Sequence, residues 1–248
     1  MNHPIAQFGA RLAIPHLPFI WKCKELTHKY GMDIGSTAGV MAFAMELYER
    51  EIITGADTQG VRLEWGNEDA VLDMIQQIAY RKGFGNVLAD GAAMAAKKIG
   101  KESEKYALTI KGMEIIGDDP RASGKLWHSG TLDGPRGGDN IRNTHTLLRR
   151  MPGPQELEQL GLTKEEYVKV YVNYLDMFDD VKKQVFGVPP RLDDSAFDGA
   201  AAVSSKWLGD LCSVMNSLIT CILPTMILNA LGPTYYARLL SSCTGEDV

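Results

Sequence analysis

The sequence predicts a mainly α-helical fold with a minor extended component. Several segments carry apolar residues at helical spacing, with capping residues before them and glycines after them. Only residues 106–116 alternate enough between apolar and polar positions to be extended. No internal repeat and no low-complexity tract is present.

The helices of the first half follow from these start and stop signals. We expect them at 19–30, 36–52, 68–82 and 87–99, after an irregular, proline-containing lead-in with a short helix over 1–20. Ser36 and Asn67 are the expected N-caps of the second and third helices. Gly83 and Gly100 are expected to end the third and fourth.

The second half begins with a turn at 117–121 and a long loop at 130–143, rich in glycine. Its two arginines and two aspartates favour a ligand-facing loop over a solvent-exposed connection. Charged helices are expected over 155–186, and further helices at 200–212, 214–223 and 234–242. The prolines at 152–154 divide the chain into expected domains 1–150 and 151–248.

Composition excludes some classes of protein. The chain of 248 residues is 45% apolar and 23% charged, as in ordinary globular proteins, and its net charge of −5 argues against nucleic-acid binding. Residues 1–9 lack the apolar run of a signal peptide, which favours a cytoplasmic location. Residues 211–237 are uncharged, but their prolines and polar residues predict buried core rather than a membrane span.

The four cysteines form no CxxC pair and are too few for a disulfide framework, so we expect buried free thiols. No residue set in the sequence supplies enough ligands to hold a metal cluster alone. General catalytic motifs are absent from the sequence: it has no P-loop, no Rossmann fingerprint, no HExxH and no GxSxG.

Residues 32–51 are the most informative stretch, because small residues fill the first half of a helix and Asp33 stands at its start. Small residues let a large ligand approach the backbone closely, and a carboxylate beside free amides can bind a polar ligand. Tight packing between helices explains the same pattern and is the interpretation that the pattern favours when taken alone.

Several segments, in order, resemble the aldehyde ferredoxin oxidoreductase family. They are residues 23–49, 63–100, 111–121, 197–223 and 235–247, together with PRGGDN at 135–140, which resembles the family's RG-x-x-H segment. The resemblance implies two helical domains that line a tungsten or molybdenum bis-pyranopterin and a [4Fe–4S] cluster. The family's N-terminal β domain has no counterpart in this chain.

The family's pterin motif, Asp-x-x-Gly-Leu-Asp/Cys, matches the chain at two places. The first match is 28–33. Gly31 and Asp33 are identical to the motif, Met32 stands at the leucine position, and His28 replaces the leading aspartate. The second is 216–221, where Asn216 replaces the aspartate and the Gly-Leu pair is lost. The resemblance also implies that Arg136, Asp139 and Arg142 lie near the pterin or its phosphates.

The same resemblance gives candidate catalytic residues and one metal ligand. The family's catalytic glutamate region falls at His3, and the histidine of its RG loop falls at Asn140. Cys221 takes the place of the last cluster ligand, while the CxxCxxxC run that supplies the other three is absent from the chain. A missing N-terminal domain or another subunit is therefore the expected partner.

The implied function is an oxidoreductase acting on an aldehyde or an aromatic acyl-CoA, with a ferredoxin-type electron carrier. HPIAQFG at 3–9 and PRGGDN look nearer to the tungsten subunit of class II benzoyl-CoA reductase. The alternative is a truncated or split-gene helical module without a cofactor, acting only in protein association. Tungsten, molybdenum and iron analysis of protein co-expressed with its genomic neighbours separates the two.

Overall fold

Helices dominate the computed structural model, which confirms the mainly α prediction. It describes residues 2–115, 130–132, 134, 136–138, 152–171, 176–187, 198–221, 224 and 231–247. One short hairpin is the extended component of the described part. The chain divides into a first unit, Met1–Asp119 with Arg136–Asp139, and a second unit, Pro120–Pro135 with Asn140–Val248.

In the described residues, the first unit contains five α-helices after its lead-in. They are α1 (Leu17–Lys29), α2 (Ile34–Glu49), α3 (Glu68–Tyr80), α4 (Gly85–Leu88) and α5 (Ala92–Ile99). The lead-in, expected to be irregular with a short helix, consists of short helical turns over Asn2–Pro4, Ile5–Gly9 and Ala10–Leu12, the middle one of the π type. Its apolar side chains Phe8 and Leu12 are fully buried, so it belongs to the core.

The observed caps correct two details of the prediction. Asn67 caps α3 as expected, because its Oδ1 accepts a hydrogen bond from the amide of Ala70 at 3.2 Å. The cap of α2 is Asp33 rather than Ser36, whose amide donates to the Asp33 carboxylate. Helix α3 is capped by Arg81 in the left-handed region, two residues before the expected stop at Gly83.

The helix expected over 87–99 is broken at Gly91, which has φ 86°. The break has a cause outside the helix. The side chain of Glu114 accepts a hydrogen bond from the amide of Ala92 at 2.6 Å and so caps α5 from a distant segment.

The extended segment forms an antiparallel hairpin of β1 (Thr109–Ile110) and β2 (Met113–Glu114). Lys111 and Gly112 connect the strands with φ of 52° and 82°. Positive φ at both central residues is the requirement of a type I′ turn, which matches the twist of a hairpin.

Helix α2 is buried on nearly all sides within the first unit. Ala38, Ala44, Met45 and Leu47 are fully buried in one core with the apolar faces of α1, α3 and α5. Tight helix packing therefore explains most of its small residues, and its N-terminal end remains the part that the sequence analysis expects to meet a ligand.

The second unit contains α6 (Pro154–Leu160), α7 (Lys164–Tyr171), α8 (Asp179–Phe186), α9 (Gly199–Ser217) and α10 (Pro233–Thr244). The two helices expected at 200–212 and 214–223 are one continuous helix, so this prediction is wrong. Ser213 does not break it, because its hydroxyl donates to the carbonyl of Gly209 within the helix. No helix in the described part of the chain is long and apolar enough to span a membrane.

All four cysteines are free thiols, as predicted. Cys23 and Cys212 are buried, but Cys221 and Cys243 are exposed, so the expectation of burial is wrong for the second pair. Burial, together with the smaller effect of the charge of Glu68, raises the pKa of the Cys23 thiol to about 12.

Iodoacetamide at about pH 8 is therefore expected to modify Cys221 and Cys243 in the native chain and to spare Cys23 and Cys212, since only accessible thiolates react. Peptide mass spectrometry measures the modified fraction at each site. Unfolding in guanidinium should make all four react at similar rates. Equal modification of Cys23 and Cys243 in the native chain would contradict the assigned burial.

Candidate cofactor-binding site

The turn between α1 and α2 contains the first match to the pterin motif, residues 28–33, and lies at the surface of the first unit. The amide of Gly31 donates to His28 and that of Met32 to Thr27, at 3.1 and 2.9 Å, which closes the end of α1. Gly31 has φ 68°, a conformation that glycine adopts without strain. A Cβ on Gly31 would meet no atom within 4 Å, so open space lies above this backbone.

Asp33 ends the turn and begins α2. Its Oδ1 accepts from the amide of Ser36 at 2.7 Å, and its carbonyl accepts from the Thr37 hydroxyl at 2.6 Å. Its Oδ2 has no hydrogen bond to any residue that the structure describes. One carboxylate oxygen thus fixes the helix start while the other remains able to accept from a ligand.

The structure brings His3 and Asp33 together, although 29 residues separate them in sequence. Both lie beside Gly35, where a Cβ would be 3.3 Å from Asp33 Oδ1 and 3.7 Å from His3 Nε2. His3 is exposed. An imidazole and a carboxylate therefore share the first turn of α2.

Two charged residues that the sequence analysis did not single out shape the same region. Arg11 donates to the carbonyl of Gly35 at 3.3 Å and to that of Ile115 at 2.5 Å, so it ties the lead-in to α2 and to the end of the hairpin. Glu114 is 7% exposed and caps α5. One feature of the sequence could have identified Glu114 as a site residue: it is the one acid within the extended segment 106–116.

Two glycines make room for Glu114. A Cβ on Gly39 would lie 2.9 Å from Glu114 Cβ and 3.0 Å from a terminal guanidinium nitrogen of Arg11. A Cβ on Gly91 would lie 2.8 Å from Glu114 Oε1. At Gly39 the close atom is a Cβ, which cannot rotate away, so the packing requires glycine there. At Gly91 the close atom is the end of a flexible side chain, and glycine is favoured there by the positive φ of 86°.

These elements enclose a cavity of about 260 Å³, which we name the Asp33 cavity. Its polar wall is formed by Asp33, Ser36, Thr37, Arg81 and Glu114. Its apolar wall includes Met32, Val40, Ile78 and Leu88. A concave site in which polar groups converge beside apolar side chains is a common form of a ligand site.

Arg81 brings a positive charge to the rim of the Asp33 cavity. Its guanidinium donates to Asp90 at 2.6 Å, and Lys98 contacts the second oxygen of that carboxylate. These two hydrogen bonds, that of Arg81 first, lower the pKa of Asp90 to about 2. The rim charge is therefore held in a fixed position by an ionised partner.

The predicted RG loop meets the hairpin that carries Glu114. A Cβ on Gly137 would clash with the carbonyl of Ile110, and one on Gly138 with the carbonyl of Glu114. Both glycines also have positive φ, of 78° and 62°. Arg136, which precedes them, is exposed at this place. The other predicted residues of the loop, Asp139, Asn140 and Arg142, lie outside the described residues.

The second match to the pterin motif, residues 216–221, lies in the second unit, at the end of α9. Asn216 is exposed in the last turn of the helix, and Cys221 is exposed four residues after it ends. The intervening Ile219 has φ 54° and is 94% exposed. In the described part of the chain, no three His, Cys, Asp or Glu side chains are grouped to hold a metal ion.

A wider depression of about 720 Å³ elsewhere in the first unit includes Glu49, Glu51, Glu64 and Trp65. Its polar groups are largely engaged with one another or with neighbours, as Trp65 donates to Glu49 at 3.0 Å and Arg62 pairs with Glu64 at 2.6 Å. None of the residues predicted from sequence lines it. The Asp33 cavity is therefore the candidate site.

Comparison with models of protein families shows which family the chain belongs to. The family model described as aldehyde ferredoxin oxidoreductase, domains 2 and 3, matches residues 3–248. The chain belongs to this family, which confirms the resemblance found in the sequence.

Individual relatives agree with this assignment. The tungsten-containing aldehyde ferredoxin oxidoreductase of Thermococcus kodakarensis is 30% identical over 171 residues, which cover 68% of this chain and 27% of the relative. The enzyme of the same description from Pyrococcus furiosus is 35% identical over 171 residues, covering 68% and 27%. The chain thus spans little more than a quarter of the length of these relatives.

A solved structure shares the fold. It is the active site complex BamBC of benzoyl coenzyme A reductase in complex with 1,5-dienoyl-CoA, with a TM-score of 0.61 and 22% sequence identity. The match covers 82% of this chain and 30% of that chain. At this identity the likeness establishes a common fold and not a common substrate.

Proposed function

We propose that this chain is the helical segment of a tungsten or molybdenum bis-pyranopterin oxidoreductase, and that the Asp33 cavity holds one of the two pterins. The observation that carries the proposal is that Asp33, whose Oδ2 has no hydrogen bond to the described residues, lines a cavity together with Met32. The open backbone of Gly31 directly precedes these two residues in the chain. A pterin ring is flat, apolar on its faces and rich in N–H donors at its edge. It therefore suits a cavity with one apolar and one carboxylate-bearing wall.

Each residue of the turn has a separate part in the proposal. Gly31 allows the ring to approach the backbone, Met32 contacts its face, and Asp33 accepts from its N–H groups. Arg136 at the hairpin, together with Asp139 and Arg142, would bind phosphate, for which a guanidinium fork has the right geometry. Asn216 would contact the second pterin. The metal would be held by the pterins, since the described side chains form no metal site of their own.

His3 and Asn140 are the proposed catalytic residues. The imidazole of His3 lies beside Asp33 and could hold or pass a proton at Nε2 near the reacting carbonyl. Cys221 is exposed and would give one thiolate to a [4Fe–4S] cluster whose other ligands lie outside this chain.

The bound cofactor would supply the redox chemistry, while the chain positions it. Oxidation of an aldehyde to a carboxylic acid takes oxygen from water and releases two electrons and two protons. A [4Fe–4S] cluster held in part by Cys221 would supply one-electron transfer to a ferredoxin-type carrier. An aromatic acyl-CoA, which would accept electrons instead, is the second substrate class and is suggested by the shared fold with benzoyl coenzyme A reductase.

The proposed partner is an N-terminal domain or another subunit. The chain corresponds to domains 2 and 3 of the family and to about a quarter of its relatives' length, and the proposed domain or subunit would supply the remaining parts of the enzyme. We place the assembled enzyme in the cytoplasm.

Binding of pterin itself, 2-amino-4-oxopteridine, tests the cavity without requiring activity. Asp33→Asn keeps the cap of α2, because asparagine is as good an N-cap as aspartate, but removes the charge that a ligand would meet. We expect the dissociation constant to rise by about tenfold, the usual effect of losing one charged hydrogen bond. Quenching of pterin fluorescence measures it.

Asp57→Asn is the matched control. Asp57 also accepts from a backbone amide, that of Thr54 at 2.8 Å, but it lies outside the cavity. It should leave pterin binding unchanged. Equal effects of both variants, or no binding by the unaltered chain, would count against the proposal.

A further inference from the structure

The two segments that match the pterin motif form turns with the same pattern of backbone hydrogen bonds. In the first turn, residues 28–33, the amides of Tyr30, Gly31 and Met32 donate to the carbonyls of Leu26, His28 and Thr27, over 3.0, 3.1 and 2.9 Å. In the second turn, residues 216–221, the amides of Leu218, Ile219 and Thr220 donate to the carbonyls of Val214, Asn216 and Met215, over 3.0, 3.1 and 2.9 Å. The local backbone is thus equivalent although the sequences differ.

The residue at the fourth position distinguishes the turns. It has a left-handed φ in both, 68° at Gly31 and 54° at Ile219. Glycine adopts this conformation freely, whereas a β-branched residue is strained in it. Ile219 is also 94% exposed, so burial within the chain does not offset the strain.

The side chain of Ile219 occupies the space that is open in the first turn. A Cβ on Gly31 would meet no atom within 4 Å, which leaves room for a ligand directly on the backbone. In the equivalent backbone of the second turn, the four carbon atoms of the isoleucine side chain project outward. A flat ring could reach this backbone only by displacing them.

We propose that Ile219 is a specificity-determining residue that holds a flat ligand away from the backbone of the second turn, so that the two turns bind pterin unequally. The first turn is the tighter contact and the second the weaker one. This inference rests on the proposed function for the class of ligand. Its geometry, a bulky residue in a glycine conformation at the surface, is independent of the Asp33 cavity.

Equilibrium dialysis of the whole chain against pterin tests the proposal. We expect the unaltered chain to bind one equivalent before a second, and Ile219→Gly to tighten the second by about tenfold. Ile219→Ala keeps the Cβ and the strained φ but removes the bulk, so it should give an intermediate gain. Phe178→Ala, which removes a 78% exposed apolar side chain of the same unit, is the control and should give none.

The outcomes separate the two proposals. Relief of strain alone would raise the melting temperature of Ile219→Gly without changing pterin binding, and this result would overturn the role of Ile219. Two equal sites in the unaltered chain would overturn it as well. If the unaltered chain does not bind pterin at the first turn while Ile219→Gly gains one equivalent of bound pterin, the result would count against the Asp33 cavity and support the role of Ile219.

Discussion

Replacing Gly85 with alanine is expected to lower the free energy of unfolding of the first unit by about 3 kcal/mol, at the upper end of overpacking effects. Gly85 is buried where α4 meets α3. A Cβ here would lie 2.5 Å from the amide nitrogen of Ile78 and still closer to the backbone of Gln77. Because these neighbours are main-chain atoms of a helix, they cannot rotate away, and the two helices must separate.

Gly55→Ala is the matched control for this prediction. A Cβ on Gly55 would meet nothing within 4 Å, and its φ lies outside the left-handed region. Its effect should stay within about 0.5 kcal/mol, the usual range for surface substitutions. Hydrogen exchange of peptides from Glu68–Tyr80 measures the local free energy of opening. Similar loss of protection in both variants would show that the α3–α4 contact is not tight.

The helices could be predicted because their signals are local. Asn67 stands directly before an apolar stripe with 3.6-residue spacing, and it caps α3 as expected. The cap of α2 was misassigned because two suitable residues, Asp33 and Ser36, stand within one turn. Position alone does not decide between them, whereas the observed bond from the Ser36 amide to the Asp33 carboxylate does.

The contacts that shape the cavity could not be predicted, because they join distant parts of the chain. Glu114 caps a helix that begins 22 residues before it, and Arg11 donates to a carbonyl 104 residues away. Neither contact leaves a periodic trace in the sequence. The break at Gly91 follows from the first of them, which is why the run 87–99 looked like one helix.

The candidate site was predicted from the family resemblance rather than from residue chemistry. Gly31, Met32 and Asp33 were singled out by a motif. Met32 and Asp33 line one cavity, and Gly31 directly precedes them with open space at its backbone. His3 was singled out because it aligns with the family's catalytic glutamate region, although this chain has no acid there. In the structure His3 lies beside Asp33. Their roles in binding and catalysis stay predictions until the pterin measurements are made.

Glu114→Ala is expected to weaken the first unit and the candidate site together. The amide of Ala92, itself 1% exposed, would lose its acceptor in a place that water does not reach freely. A buried unsatisfied amide costs about 2 kcal/mol of the free energy of unfolding. Loss of this wall also enlarges the Asp33 cavity, and pterin binding should weaken by about tenfold, equivalent to 1.4 kcal/mol.

Glu114→Gln separates the two effects. Its side-chain carbonyl can still accept from the Ala92 amide, so stability should change by less than about 0.5 kcal/mol. Its charge is gone, so binding of an N–H-rich ring should still weaken severalfold. Glu104→Ala, which removes an exposed glutamate of the same unit, is the control for both measurements.

Urea unfolding and pterin titration of these three variants distinguish a cap from a ligand contact. If Glu114 acts only as the cap of α5, the glutamine variant should match the unaltered chain in both measurements. If it also faces the ligand, stability is kept and affinity falls. The second result is the one we expect, because Glu114 lines the Asp33 cavity while only its Oε1 is engaged within the described part of the chain.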